Sequence, residues 1–249
     1  MICIDKNGIF AEHTPRSKYM KKIRYLRIQF APEITNAELP LFRGAIVAVV
    51  GRANTLFHNH TDDGFRYSYP LIQYKRHQGR PVLVCLESGT DQIHALFSEQ
   101  VRTLRLGSRE IDLSIENINL REHTLQLWDT MMPYRIYSWI ALQGDKYRDF
   151  QQMTTDTERV RLLESTLRGN ILSMAKGLDW FIEGRVEVEI THFDPMRPVI
   201  QKDVVMSAFS VSFRCNVSLP DSIGLGKGAA RGFGVVKKVR VGEVSLTNI

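Results

Sequence analysis

The chain has 249 residues, 43% of them hydrophobic and 24% charged, the balance of a globular protein with a buried core. Thirty-three Lys and Arg against 27 Asp and Glu leave a net charge of +6, which favours an anionic partner. The longest apolar run, Ala45–Val50, has six residues, far below the roughly 18 of a membrane span, and the first nineteen residues lack the apolar heart of a signal peptide.

Met1–Tyr19 reads as an irregular N-terminal tail. Ile23–Phe30 alternates apolar and polar residues as a strand does. Leu39, Phe42, Ile46 and Val49 recur at helical spacing, and Pro40 suits only a first helical turn. Residues 51–66 are polar and loop-like. Tyr67–Tyr74 and Pro81–Leu86 read as strands joined at Gln78-Gly79. Thr90 is placed to cap a helix through Ile93, Leu96 and Phe97, and Ile111–Ile118 alternates again. The order β-α-β-β-α-β over about 100 residues is the ferredoxin-like pattern. Beyond a boundary expected near Leu120–His123, Thr124–Trp128 and Arg135–Leu142 look extended. A long amphipathic helix opens at Asp156, with Val160, Leu163, Leu167, Ile171 and Met174 on one face, and ends near Gly177. Strands follow at Arg185–Thr191, Val204–Val217 and Val235–Val241. One long helix among strands suits a second ferredoxin-like unit. The expected fold is therefore α+β, two tandem ferredoxin-like domains over residues 20–120 and 121–249.

Leu219–Gly234 is the most distinctive stretch. Gly224, Gly226, Gly228, Gly232 and Gly234 fall within eleven residues together with Lys227 and Arg231 and no acid. Such a loop lets backbone N–H groups approach a phosphate closely. Its setting between two strands differs from nucleotide fingerprints, which run strand, glycines, helix. A polyanion fits better than ATP or NAD. Two acid-free basic stretches, Met20–Arg27 and Lys227–Arg240, point to nucleic acid, although the first could be only the solvated face of an edge strand. Lys227, Arg231, Lys237 and Lys238 are the expected phosphate contacts.

Phe57–Pro70 carries His58 and His60 in a Gly/Asp/Asn loop. RNA cleavage by transesterification needs one group to take the 2′-hydroxyl proton and one to protonate the 5′-oxygen, and imidazole can hold either state near neutral pH. Tyr67, Tyr69, Arg52 and Lys75 are within sequence reach to orient the phosphate. The alternatives are exposed loop histidines, or half of a metal site with Asp62 and Asp63. His94 is expected to pack in a helix, His77 to lie in a hairpin turn, and His123 and His192 at strand ends. Trp128, Trp139 and Trp180 are expected in the core, whereas Phe233 is free to stack on a base. Cys3, Cys85 and Cys215 are expected as buried free thiols of a reducing cytoplasm, and the lack of a Cys-x-x-Cys pair argues against structural zinc.

With these features together, the chain resembles the CRISPR-associated endoribonucleases of the RAMP superfamily that process repeat RNA. The likeness rests on Leu41–Ile46, His58-Asn59-His60, Tyr69–Lys75, Asn170–Ser173, Phe209–Asn216 and the glycine loop, and spans roughly residues 20–240. It implies two ferredoxin-like domains with RNA along a basic face between them. It also implies metal-independent, cofactor-free cleavage of CRISPR precursor RNA by 2′-hydroxyl attack. In the subgroup with a His-x-His pair, residues placed as His58 and His60 carry catalysis, and a tyrosine placed as Tyr67 assists. A lysine that precedes the histidines there is absent here, where Arg52 is nearest. The glycine loop is implied to contact RNA or shape its groove without being catalytic, and Arg52 and Lys75 join the basic residues above as expected RNA contacts. A non-cleaving RNA-binding subunit of a CRISPR effector complex is the alternative. A cytoplasmic location, contacts with other CRISPR-associated proteins and a homodimer complete the expectations.

Overall fold

The computed structural model describes residues 20–51, 53–58, 60–61, 64–65, 69–201 and 204–239. Strand β1 (Met20–Phe30) is followed by α1 (Leu39–Val50). Pro40 sits in the first turn of α1, and Leu39, Phe42, Ile46 and Val50 are its buried face. Strands β2 (His60–Thr61) and β3 (Gly64–Phe65) form a small ladder in the histidine loop. Strands β4 (Ile72–His77) and β5 (Arg80–Leu86) are a hairpin closed by Gln78 and Gly79, both at positive φ as a two-residue turn of this hand requires. Helices α2 (Ser88–Gln92) and α3 (His94–Ser98) follow. The helix expected from Thr90 is thus two short pieces, and Thr90 does not cap it. Its hydroxyl donates to the Glu87 carbonyl from inside α2.

The strand expected over Ile111–Ile118 is also divided. Strand β7 (Arg109–Asp112) folds back on β6 (Thr103–Leu106) as a separate hairpin about Gly107, and a new strand begins at Ile115. That strand, β8 (Ile115–Trp139), runs unbroken for 25 residues, through Leu120–His123 and Thr124–Trp128 and into the segment expected over Arg135–Leu142. Its first part pairs with β1, from Phe30↔Ile115 to Met20↔Gln126. Its second part pairs with β11 (Val204–Val217) on one side and β12 (Val235–Lys238) on the other. Helix α4 (Asp145–Gln152), unforeseen from the sequence, precedes α5 (Asp156–Gly177). Thr155 and Glu158 cap α5 reciprocally, and Leu163, Leu167, Ile171 and Met174 face the interior. Strands β9 (Val188–Phe193) and β10 (Arg197–Gln201) both lie along β11.

The first half has strand order β8-β1-β5-β4 and the second half β12-β8-β11-β9, every neighbouring pair antiparallel. In each, the first and third strands are central, flanked by the fourth and second, as in a ferredoxin-like fold. Strand β8 serves as the last strand of one half and the first of the other. In the second half the connection from β11 to β12 is the glycine-rich loop, where the repeat would place a helix. The α+β class and the ferredoxin-like halves agree with the expectation.

Two apolar clusters build the interior. One lies between the first sheet and its helices and contains Leu26, Ile28, Phe42, Ile46, Leu83 and Cys85. The other joins the halves: Ile23, Tyr25, Val82, Val84 and Leu86 meet Trp139, Leu167, Ile171, Phe213, Ile223 and Leu225. Strand β5 therefore buries both faces, which is why Val82–Leu86 is an uninterrupted apolar run. Cys85 and Cys215 are buried free thiols, and Cys3 lies outside the described residues. Among the described residues, no helix is long and apolar enough to cross a membrane. Leu167 is fully buried at the middle of the joining cluster. Leu167→Ala should lower unfolding free energy by about 2–5 kcal/mol with an unchanged denaturant slope, read from urea transitions.

Candidate nucleic-acid interface

The glycine-rich loop is clamped to the first half through β4. Alternate residues of this strand, Ile72 and Tyr74, face the helix-side cluster, and Gln73 and Lys75 point the other way, toward the loop. Both polar side chains are buried. Gln73 accepts from the Gly224 amide at 2.8 Å and donates to the Pro70 carbonyl at 3.0 Å. Lys75 Nζ donates to the Ala229 carbonyl at 2.6 Å, and the Tyr74 amide donates to the Ala230 carbonyl at 2.9 Å. Tyr25 and Tyr69 hydroxyls reach the carbonyls of Asp221 and Gly224. A run of backbone groups that would otherwise be orphaned in the interior is satisfied this way.

These contacts correct the expectation for Lys75. Its side chain is 2% exposed and faces the loop, not solvent. Burial disfavours its charged form and lowers its pKa to about 7. The glycines also have packing reasons. A Cβ on Gly224 would stand 2.5 Å from Lys75 Nζ. At Gly226, where φ is +79°, it would meet Asn170 Oδ1 at 2.7 Å and Trp139 Nε1 at 2.8 Å, a pair already hydrogen-bonded to each other. Gly228 offers its carbonyl to the amides of Arg231 and Phe233, Gly232 stands over Leu39, and Gly234 pairs with Leu225 and Ser138 through its backbone. Gly224 and Gly234 are buried. The segment from Gly226 to Phe233 is partly accessible except at Ala229.

The histidine loop arrives at the same place. A short 3-10 turn, Thr55–Phe57, buries Phe57 and carries His58 immediately after it. The Tyr74 hydroxyl donates to the Phe57 carbonyl at 3.3 Å, and Arg43 Nη2 donates to the His58 carbonyl at 2.9 Å. His60 opens β2 opposite Phe65. Arg52 and Tyr67 lie outside the described residues, as do Asp62 and Asp63. Arg43 lies over the Tyr74 ring, 5.8 Å from its centroid, and Arg231 makes a parallel bridge with Tyr74. Tyr74 therefore touches both loops. The sequence places Tyr74 and Arg43 within the stretches of family likeness but assigns neither a role. One signal was available: Arg43 is the only charged residue in α1.

The basic stretches divide. Met20–Arg27 lies on a central strand, flanked by β5 and β8, and not on an edge. Its cations are engaged: Lys21 with the Leu178 carbonyl, Lys22 with Glu122, Arg24 with Asp91, and Arg27 with Gln29. In the second stretch Lys237 pairs with Asp221 at 3.0 Å, and Lys227 donates to the Gln143 side chain at 2.5 Å. Lys238 is exposed and Arg231 is partly exposed. Phe233 is half-buried beside Gly228. Trp139 and Trp180 are buried as expected, but Trp128 is 45% exposed, since its part of β8 has solvent on one face. His94 is exposed, not packed, and its ring meets the Asp91 carbonyl. His123 is partly buried against the Ser218 carbonyl, and His192 pairs with Asp194.

The Cas6b N-terminal domain model matches residues 21–124, and the Cas6b C-terminal domain model matches residues 126–239. The chain belongs to the Cas6b family. An uncharacterized protein of Methanocaldococcus jannaschii is 32% identical over 112 residues, 45% of this chain and 75% of the relative. A crystal structure of Cas6b covers 88% of this chain and 100% of its own at 26% identity, with a TM-score of 0.76. A structure described as the CRISPR RNA processing endoribonuclease Cas6b matches with the same coverage at 24% identity and a TM-score of 0.69. A RAMP protein binding different RNA substrates shares the fold at 12% identity, over 88% of this chain and 99% of its own, with a TM-score of 0.51.

The Lys75 amine of this Cas6b-family chain titrates lower folded than unfolded. The unfolded chain therefore binds the extra proton between about pH 7 and the ordinary lysine value, and the stability contribution of Lys75 rises with pH across that window. Wild-type stability relative to Lys75→Met should climb from pH 7 to pH 9 by up to about 1.4 kcal/mol per pH unit, measured by denaturant unfolding at each pH.

Proposed function

We propose that this Cas6b-family chain is a metal-independent endoribonuclease that cuts CRISPR precursor RNA within its repeats. The observation that supports this most is the meeting of the two loops at Tyr74, which sets the backbone of the histidine loop beside the accessible part of the glycine-rich loop. Membership of the Cas6b family and the similarity to a structure described as the CRISPR RNA processing endoribonuclease Cas6b support this substrate class. Residues 20–120 and 121–249 act as two ferredoxin-like domains that share β8, with RNA laid across the face where Gly226–Phe233 is accessible.

Chemically, one imidazole of the His58/His60 pair takes the proton of the RNA 2′-hydroxyl as its oxygen bonds to phosphorus. The other returns a proton to the 5′-oxygen as the phosphorus–oxygen bond breaks. The products are a 2′,3′-cyclic phosphate and a 5′-hydroxyl. Tyr67 assists by orienting or stabilising the phosphate. Arg231, Lys227 and Lys238, with Arg52 and the ring of Phe233, hold the strand. The glycines shape the loop that carries these contacts. Lys237, paired with Asp221, serves the backbone more weakly, and Lys75 acts by fixing the loop from inside.

Incubation with cognate repeat RNA in excess EDTA should yield cleavage to a cyclic-phosphate end. His58→Ala and His60→Ala should each slow single-turnover cleavage by about 10²–10⁴-fold and leave RNA affinity within a few-fold. Cleavage that appears only on adding a divalent metal, or affinity lost in step with rate, would remove this mechanism. Arg231→Ala and Lys238→Ala should weaken RNA binding and each reduce the slope of log affinity against log salt by about one unit, measured by filter binding.

A further inference from the structure

Arg43 and Arg231 belong to different elements, a helix and the glycine-rich loop, and converge on one residue. The Arg43 guanidinium lies over the Tyr74 ring while Arg231 bridges the Tyr74 backbone. They are near enough for the charge on Arg43 to lower the pKa of Arg231, and burial lowers both. No carboxylate among the described residues contributes to the electrostatics of either guanidinium. Of the other half-buried arginines, Arg135 pairs with Asp194 and Arg80 with Glu116, whereas Arg27 and Arg168 meet the Gln29 side chain and the Val186 carbonyl. Arg43 Nε is buried and has no hydrogen-bond partner among the described residues. Its Nη2 is fixed on the carbonyl of His58, which belongs to the proposed catalytic pair. Two like charges near one another in partly desolvated surroundings, with no carboxylate partner among the described residues, cost stability unless an anion joins them. Guanidinium forks match the paired oxygens of a phosphate.

We propose that Arg43 and Arg231 form a two-guanidinium clamp on the non-bridging oxygens of the phosphodiester being cut, with Arg43 also setting the backbone position of His58. The inference rests on the RNA-cleaving reading and adds Arg43 to the groups that touch the reacting phosphate. The clamp supplies positive charge where negative charge grows on the phosphorus oxygens, so its effect is larger on the rate than on ground-state binding.

Two measurements test it, one of them independent of cleavage. Inorganic sulfate serves as the anion probe. At matched ionic strength, sulfate in place of chloride should raise the melting temperature of the wild-type protein more than that of Arg43→Gln or Arg231→Gln, since an anion bound only to the folded state stabilises it. An equal sulfate response in all three overturns the clamp. In the second arm, each variant should cut repeat RNA about 10²–10³-fold more slowly in single turnover with affinity changed by only a few-fold. Glutamine retains a donor for the His58 carbonyl, so a loss from charge separates from a loss of backbone anchoring. Arg43→Lys should recover part of the rate. Unchanged cleavage in Arg43→Gln overturns the proposal. Wild-type protein that leaves the RNA whole refutes the cleavage reading, and the sulfate comparison then decides the clamp alone.

Discussion

The docking of β4 against the glycine-rich loop organises the rest of the molecule. A strand whose alternate residues are Gln73 and Lys75 on one face, and Ile72 and Tyr74 on the other, is buried on both sides. An interior amide and an interior amine are costly unless each finds a partner. Here the partners are backbone groups of Gly224 and Ala229, and a loop with little side-chain bulk is what lets those groups come close. The same strand carries Tyr74, whose hydroxyl, ring and backbone reach three separate elements: the 3-10 turn before His58, Arg43 on α1, and the glycine-rich loop.

This docking gives the glycines a packing role of their own. Gly224 and Gly226 are positions where the loop passes within contact distance of Lys75 and of the Trp139–Asn170 pair, so that a side chain would push the loop off the sheet. The loop stands where a ferredoxin-like repeat would have a helix, and its route is held by backbone pairing to the neighbouring half together with the buried side chains of Leu219, Ile223 and Leu225. Its remaining accessible part includes Arg231, which bridges Tyr74, the residue whose hydroxyl reaches the Phe57 carbonyl just before His58.

Continuity of β8 is the second constraint. Its 25 residues make one sheet path from β4 to β10 through both halves, and the joining cluster fills the space between the first sheet and α5. The halves thus share covalent backbone, ladder hydrogen bonds and core. A geometry that brings Phe57 and His58 near the glycine-rich loop through Tyr74 can therefore be held to hydrogen-bond tolerances.

The sequence alone determined the ferredoxin-like order of elements in the first half, the bounds of α1 and α5, the β4–β5 turn and the two loops of interest. Each of these follows from local periodicity, capping or turn residues, which act within a few positions. It misjudged Lys75, Trp128, His94 and the strand over Ile111–Ile118, passed over α4 and β10, and assigned no role to Arg43 or Tyr74. Those outcomes turn on what lies opposite a residue across a sheet or a loop. An alternating strand has the same pattern whether its second face meets water or another half of the chain. A lysine near a predicted anion site looks like a ligand until the neighbouring carbonyl is known. Only the tertiary structure decided which cations meet acids and which meet backbone carbonyls, because pairing depends on through-space distance between segments far apart in the chain, as for Lys22 with Glu122 and Lys75 with the Ala229 carbonyl.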